Sequence, residues 1–298
     1  MTDDPEVLTF DLPHLRVAAL AWGPSDGRLA LCLHGYPDTA WTWRHLGPAL
    51  AADGYRVIAP FSRGYAPTAL PEDGDYHMGA LMFDALALHR HLGGASGAVL
   101  IGHDWGGMTA SALAGHEESP FDKVVSMGVP FLPGFEKQVA ARVLRRMPRQ
   151  ARMSWYVMYQ QIPWISERTL NGVVPRLWHD WSPPGYDASA DLARLWEALP
   201  DLAHRKAAIT YYRHQMPLGK PAVPYRALHE DWDSALPRVP ILALHGEIDG
   251  AMDVRLVGIS AEALPPGSRF EIMPAAGHFM HLDQPEKVHR LIVDYLSG

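Results

Sequence analysis

The chain has 298 residues, 48% hydrophobic and 20% charged, a balance that excludes a mainly disordered, collagenous or coiled-coil protein. Its 26 basic and 33 acidic side chains give a net charge of −7, without the overall basic footprint of a nucleic-acid binder. The single cysteine, Cys32, excludes an internal disulfide and a zinc site built on several thiolates.

The N-terminus reads Met-Thr-Asp-Asp-Pro-Glu, not the basic-then-apolar pattern of a signal peptide, and no apolar run approaches the ~18 residues of a membrane span. A cytoplasmic location is the expectation. Short apolar runs closed by turn residues predict strands at 8–12, 16–22, 29–33, 56–59, 98–101, 124–127, 241–244 and 270–273. Several are continuously apolar, as parallel strands covered on both faces should be. Only Pro13, His14 and Leu15 separate the first two, which allows an antiparallel hairpin at one edge. Amphipathic segments at 78–92 and 108–116 alternate with the strands, so the fold class is α/β with a mostly parallel sheet.

The alternation stops after Val129-Pro130 and resumes at Val239-Pro240-Ile241. Helical patches lie between, at 136–146, 152–161, 190–197 and 204–214. The expected organisation is a core of residues 1–132 and 234–298, with a helical cap of residues 133–233 inserted between strands six and seven. Six of the ten tryptophans fall in the insertion; most should pack it against the sheet, and some could line an apolar cavity.

The most informative stretch is Val99-Leu-Ile-Gly-His-Asp-Trp-Gly-Gly107, where a strand runs through Gly102-x-Asp104-x-Gly106 into a helix. This is the shape of a nucleophile elbow with Asp in place of Ser. A carboxylate, with a reference pKa of ~3.9, is already ionised at neutral pH. It can displace a leaving group from saturated carbon and form an ester on the enzyme. Two later strand-end loops carry Asp249 (Leu244-His-Gly-Glu-Ile-Asp-Gly250) and His278 (Pro274-Ala-Ala-Gly-His-Phe279). The order nucleophile, acid, base is that of the α/β-hydrolase triad, all at strand C-termini where such sheets bind ligands. Glu247 is the rival acid. A metal site of His278, His281 and His289 is discounted because no carboxylate–His cluster of metal spacing accompanies them. The loop His34-Gly35-Tyr36-Pro37 after strand three should supply one oxyanion-hole N–H, from Tyr36, and Trp105 the other.

Together these motifs resemble the α/β-hydrolase-fold epoxide hydrolases over essentially the whole chain. His34-Gly35-Tyr36-Pro37 is similar to that family's oxyanion loop, with its last peptide bond typically cis, and Gly102–Gly107 to its nucleophile motif, which haloalkane dehalogenases share. The family also carries two cap tyrosines that donate hydrogen bonds to the epoxide oxygen. The resemblance places the first at Tyr156, in Tyr-Val-Met-Tyr-Gln-Gln-Ile-Pro163, and the second at Tyr212, in Thr210-Tyr-Tyr-Arg213, with Tyr159 and Tyr211 as neighbouring candidates. Two features depart from the pattern. Phe61 and Ala66 replace the usual Asp and Gly around Arg63-Gly-Tyr65, which puts that loop's hydrogen bonding in question, and Asp283 stands where Glu is usual.

The resemblance implies a cofactor-independent epoxide hydrolase acting on a small apolar epoxide, with no metal. His34, Pro37, Trp105 and Phe279 would line the substrate site. The alternatives are a haloalkane dehalogenase using the same Asp104, His278 and Asp249, whose halide Trp105 could bind, or a non-catalytic ligand binder. No nucleic-acid partner is expected, and a homodimer is compatible with the sequence. One motif stands outside this scheme: residues 136–152 carry Lys137 and five arginines against one acid. They read either as a solvated helix face or as an attractor for an anionic substrate or a membrane surface.

Overall fold

Valine, leucine, isoleucine and alanine fill the predicted strands, and covering both faces removes their side chains from water. Each fully buried Val, Leu or Ile contributes roughly 1.5–3 kcal/mol, which makes a central strand such as Ala98–His103, buried throughout, a strong organiser. The computed structural model describes residues 4–130, 137–215, 219–234 and 236–298. Its strands are β1 (Glu6–Leu12), β2 (Leu15–Trp22), β3 (Arg28–Leu33), β4 (Tyr55–Pro60), β5 (Ala98–His103), β6 (Phe121–Met127), β7 (Ile241–Gly246) and β8 (Arg269–Met273). They form one eight-stranded sheet in the order β1-β2-β4-β3-β5-β6-β7-β8. The β1–β2 hairpin and the β2–β4 pair are antiparallel and the rest parallel.

Helices α1 (Leu46–Ala52), α2 (Met78–His91) and α3 (Trp105–Gly115) connect the first six strands. Between β6 and β7 come α4 (Lys137–Met153), α5 (Trp155–Gln160), α6 (Ile165–Trp181), α7 (Ser189–Ala198), α8 (Leu202–His214) and α9 (Arg226–Ser234). The chain closes with α10 (Val254–Ala261), α11 (Met280–Asp283) and α12 (Pro285–Ser297). The predicted bounds at residues 133 and 136 lie outside the described residues.

Two sequence expectations change. The break predicted between 146 and 152 is absent: α4 runs on through Pro148, its end tied by Gln150, whose amide donates to Ala251 O (2.9 Å) and accepts from Asp253 N (2.9 Å). The stretch 165–181, outside the predicted helical patches, is the 17-residue α6 with Pro175 inside. The unusual loop after β4 closes differently from the expected pattern. Thr68 Oγ1 donates to Phe61 O (2.7 Å) and accepts from Ala18 N (2.9 Å), while buried Arg63 forms a two-pronged pair with Asp84. No described helix is long and apolar enough to cross a membrane.

Candidate active site

The β5–α3 turn holds Asp104 at φ 51°, a left-handed conformation that L side chains rarely adopt. Such strain costs on the order of 1–3 kcal/mol and persists only where the surroundings fix it. Glycines fix it here. A Cβ on Gly102 would lie 2.1 Å from Gly106 O, and one on Gly106 the same distance from Leu33 O, so any side chain would drive α3 off the sheet. The turn puts the carboxylate above the carboxyl ends of the strands, at the N-terminus of α3, whose dipole favours negative charge. Its Oδ1 accepts from Tyr36 N–H at 2.7 Å, an approach that only a glycine at 35 permits. Trp105 opens α3, so its N–H is one that the helix leaves without an internal partner.

His278 and Asp249 arrive from the loops after β8 and β7. His278 Nδ1 donates to Asp249 Oδ2 (2.8 Å), which leaves Nε2 facing Asp104 Oδ2 at 3.7 Å, too long for a hydrogen bond but close for opposite charges. Asp249 Oδ1 accepts from the N–H groups of Ala251 (2.6 Å) and Met252 (2.9 Å). Burial would raise the Asp249 pKa, but His278, His245 and these donors hold it below the usual value. Burial would likewise lower that of His278, but Asp249 and Asp104 outweigh it and raise it to about 10. The rival Glu247 instead accepts from Ala275 N–H at an exposed edge. His289 pairs with Asp53, and His281 with Thr42.

The two phenols come from α5 and α8. Tyr156 and Tyr212 meet edge-on at 5.5 Å, with Tyr156 against Trp181 (5.0 Å) and Tyr212 against Tyr36 (5.1 Å) and Trp105 (5.0 Å). Both are buried, and burial together with the nearby Asp104 charge raises both pKa values well above that of a free phenol, so both stay protonated. Among the described residues the Tyr212 hydroxyl has no hydrogen-bond partner of normal geometry. The neighbouring candidates are engaged elsewhere: Tyr159 with Thr169 (2.7 Å), and Tyr211 donating to Arg63 O (2.8 Å). His34 holds the loop after β3, its Nδ1 bonding Gly35 O and its Nε2 accepting from Ser62 N–H (both 2.9 Å). Pro37 follows a cis bond and accepts from Trp178 Nε1 (2.9 Å), and Phe279 stacks on Trp178 at 3.7 Å.

Residues 31–285 match the family model described as alpha/beta hydrolase fold. Epoxide hydrolase 3 of Xenopus tropicalis is 30% identical over 95% of this chain and 75% of its own length. Epoxide hydrolase A of Mycobacterium tuberculosis is 27% identical over 99% and 98%. The chain belongs to the α/β-hydrolase-fold epoxide hydrolase family. The solved structure of an epoxide hydrolase from an endophytic Streptomyces, 25% identical, superposes with a TM-score of 0.76 over 100% of this chain and 96% of that one.

Sequence reasoning missed how the insertion props up the His278 and Asp249 loops. Trp181 O, at the end of α6, accepts from His278 N–H at 2.7 Å. Cβ atoms on Gly250 and Gly277 would strike the carbonyls of Asp180 and Trp181 at 2.1 and 2.3 Å. Those two glycines were the available signal, since they adjoin Asp249 and His278 and admit close backbone approach. Gln150 does the same for the Asp249 loop from α4. Asp283 Oδ2 accepts from Gly277 N–H (2.8 Å), keeping a carboxylate under the His278 loop despite the change from Glu.

Two groups among the described residues bring metal-ligating atoms within 4.8 Å of one another: Asp38, His103 and His281, and Asp75, His77 and His214. Neither contains Asp104 or His278. In the second, His77 Nδ1 and Asp75 already bond each other at 2.8 Å.

Proposed function

We propose that the protein hydrolyses an apolar epoxide to a vicinal diol through an ester on Asp104, with residues 1–132 and 234–298 supplying the triad and the insertion 133–233 the acid donors. The observation that carries this reading is that two buried phenols, kept protonated by burial and the nearby Asp104 charge, meet each other beside the Asp104 carboxylate. Opening an epoxide makes an alkoxide, which needs a proton in the transition state, and a phenol held neutral can give one. A departing halide needs no proton.

In the first step Asp104 Oδ2 bonds a ring carbon, the C–O bond breaks, and its electron pair takes a proton from Tyr156 or Tyr212. Asp104 thereby becomes a neutral ester and no longer stabilises the imidazolium of His278. With only Asp249 left to hold it, the His278 proton becomes available to restore the phenol, and the neutral imidazole becomes a base. In the second step His278 takes a proton from water, which attacks the Asp104 carbonyl carbon. Negative charge grows on the carbonyl oxygen, where the N–H groups of Tyr36 and Trp105 stabilise it; one such donor is typically worth ~3–4 kcal/mol. The acyl carbon–Oδ2 bond then breaks, the departing alkoxide takes the proton from His278, the carboxylic acid left on Asp104 returns a proton to His278, and the diol leaves with an oxygen that came from Asp104.

Diol formation from styrene oxide, lost in Tyr156→Phe/Tyr212→Phe, is the expected result. Bromide release from bromoalkanes without styrene oxide turnover would select the dehalogenase reading, for which the indole N–H of Trp105, without a partner among the described residues, is the supporting feature.

A further inference from the structure

The basic segment singled out in the sequence finds no role in this chemistry, and it extends further than residues 136–152. From Lys137 to His179 the sequence has eight lysines and arginines and one acid, Glu167, a net +7 in a chain of −7, so the remainder carries −14. Glu167 is buried and committed to Arg213 (2.7 Å). Arg142 pairs with Glu262 and Arg149 lies 3.5 Å from Asp253, but Arg145, Arg146, Arg152 and Arg168 have no acidic partner among the described residues.

Beside these cations lies an apolar prominence. Trp164 is 74% exposed, and Met158, Ile162 and Ile165 around it are exposed too. Pro163 precedes it, and Trp164 sits at φ 69°, a strained conformation for a bulky residue that holds the indole away from the core. The Arg168 guanidinium lies over its ring at 5.8 Å and donates to Trp164 O (3.0 Å). The Arg176 guanidinium lies 5.3 Å from the Trp155 ring, which meets Tyr159 at 6.0 Å. The outer side of α5 and the turn into α6 thus form one surface of tryptophan, tyrosine, isoleucine and arginine, and α4 packs against α5.

We infer that this face of the insertion docks on an anionic lipid bilayer, with Trp164, Ile162 and Ile165 entering the interface and the arginines of α4 and α6 on the headgroups. Exposed tryptophan and isoleucine beside unpaired arginine is the composition of an interfacial membrane contact. Basic side chains near an anionic surface add attraction that salt screens. A second copy is a poorer occupant, because it would bring two sets of arginines without acidic partners together. A nucleic acid would satisfy the arginines and leave the isoleucines and Met158 without a purpose. The inference stands apart from the epoxide reading, since docking needs no turnover.

The test is co-sedimentation of the full chain, without substrate, with phosphatidylcholine vesicles and with the same vesicles containing phosphatidylglycerol. Binding at least ~10-fold stronger to the anionic vesicles, and lost at high salt, is expected. Trp164→Ser/Ile165→Ser and Arg145→Glu/Arg146→Glu should each weaken it ~10-fold, with turnover of a dissolved epoxide unchanged. Trp164→Phe should retain binding and lose most of the blue shift in tryptophan emission. Equal affinity for both vesicles, or indifference to the Trp164/Ile165 change, would overturn the inference. So would a dimer that this change dissociates, or binding to DNA in place of vesicles.

Discussion

The strand-end loops and the helical insertion build their halves of the site by different means. Asp104, Asp249 and His278 are fixed by backbone: a left-handed turn locked between glycines, two N–H groups on Asp249 Oδ1, and the Trp181 carbonyl on His278 N–H. Tyr156 and Tyr212 are fixed mostly by ring contacts with Trp181, Tyr36 and Trp105. On the proposed reading, backbone geometry sets the kind of nucleophile and leaves the leaving group open, and packing in the insertion supplies the proton donors that select an epoxide.

That contrast orders the expected losses. Asp104→Ala should abolish turnover of every substrate, since no bond to carbon can form. Asp249→Asn should reduce turnover by roughly 10³–10⁴-fold through loss of His278 orientation, with the ester accumulating because its formation does not need the base. Tyr156→Phe and Tyr212→Phe should each cost about 10²-fold at epoxide opening and leave ester hydrolysis alone. If either phenol change slowed hydrolysis of a preformed ester as strongly, the division of labour between the two regions would fail. Stopped-flow tryptophan fluorescence separates the two steps.

Smaller changes probe the joints between the regions. Gln150→Ala leaves Ala251 O and Asp253 N without their partner and should lower unfolding stability by about 1–3 kcal/mol in urea titrations, slowing ester hydrolysis more than its formation. The pH dependence of stability has a definite sign. The His278 pKa is raised in the fold, so its contribution is complete below the unfolded value of ~6.5 and is lost as pH rises through about 10. The thermal midpoint should therefore fall across that range more steeply in the native chain than in His278→Gln.

The parts legible in the sequence were those that glycine or strand-end position enforces. Gly102-x-Asp104-x-Gly106 could be read because only glycine allows the Gly102–Gly106 and Gly106–Leu33 approaches, and the central strands because both their faces are apolar. What escaped was set by long-range contact. Helix α6 contains Pro175 and yet stands, with buried Leu170, Val174, Leu177, Trp178 and Trp181. The supports from Trp181 O and Gln150 involve a carbonyl and an amide that carry no motif. The register of the cap tyrosines depended on resemblance, because Tyr159 and Tyr211 stand within three residues and one residue of Tyr156 and Tyr212 and differ only in what they touch.

The most direct test of the central claim is to trap the ester. In His278→Gln the first step can proceed and the second cannot, so incubation with styrene oxide, digestion and mass spectrometry should show one epoxide mass added to the peptide containing Asp104, with fragment ions placing it on that carboxylate. An unmodified Asp104 peptide from a folded variant that still binds the epoxide would contradict a covalent carboxylate mechanism.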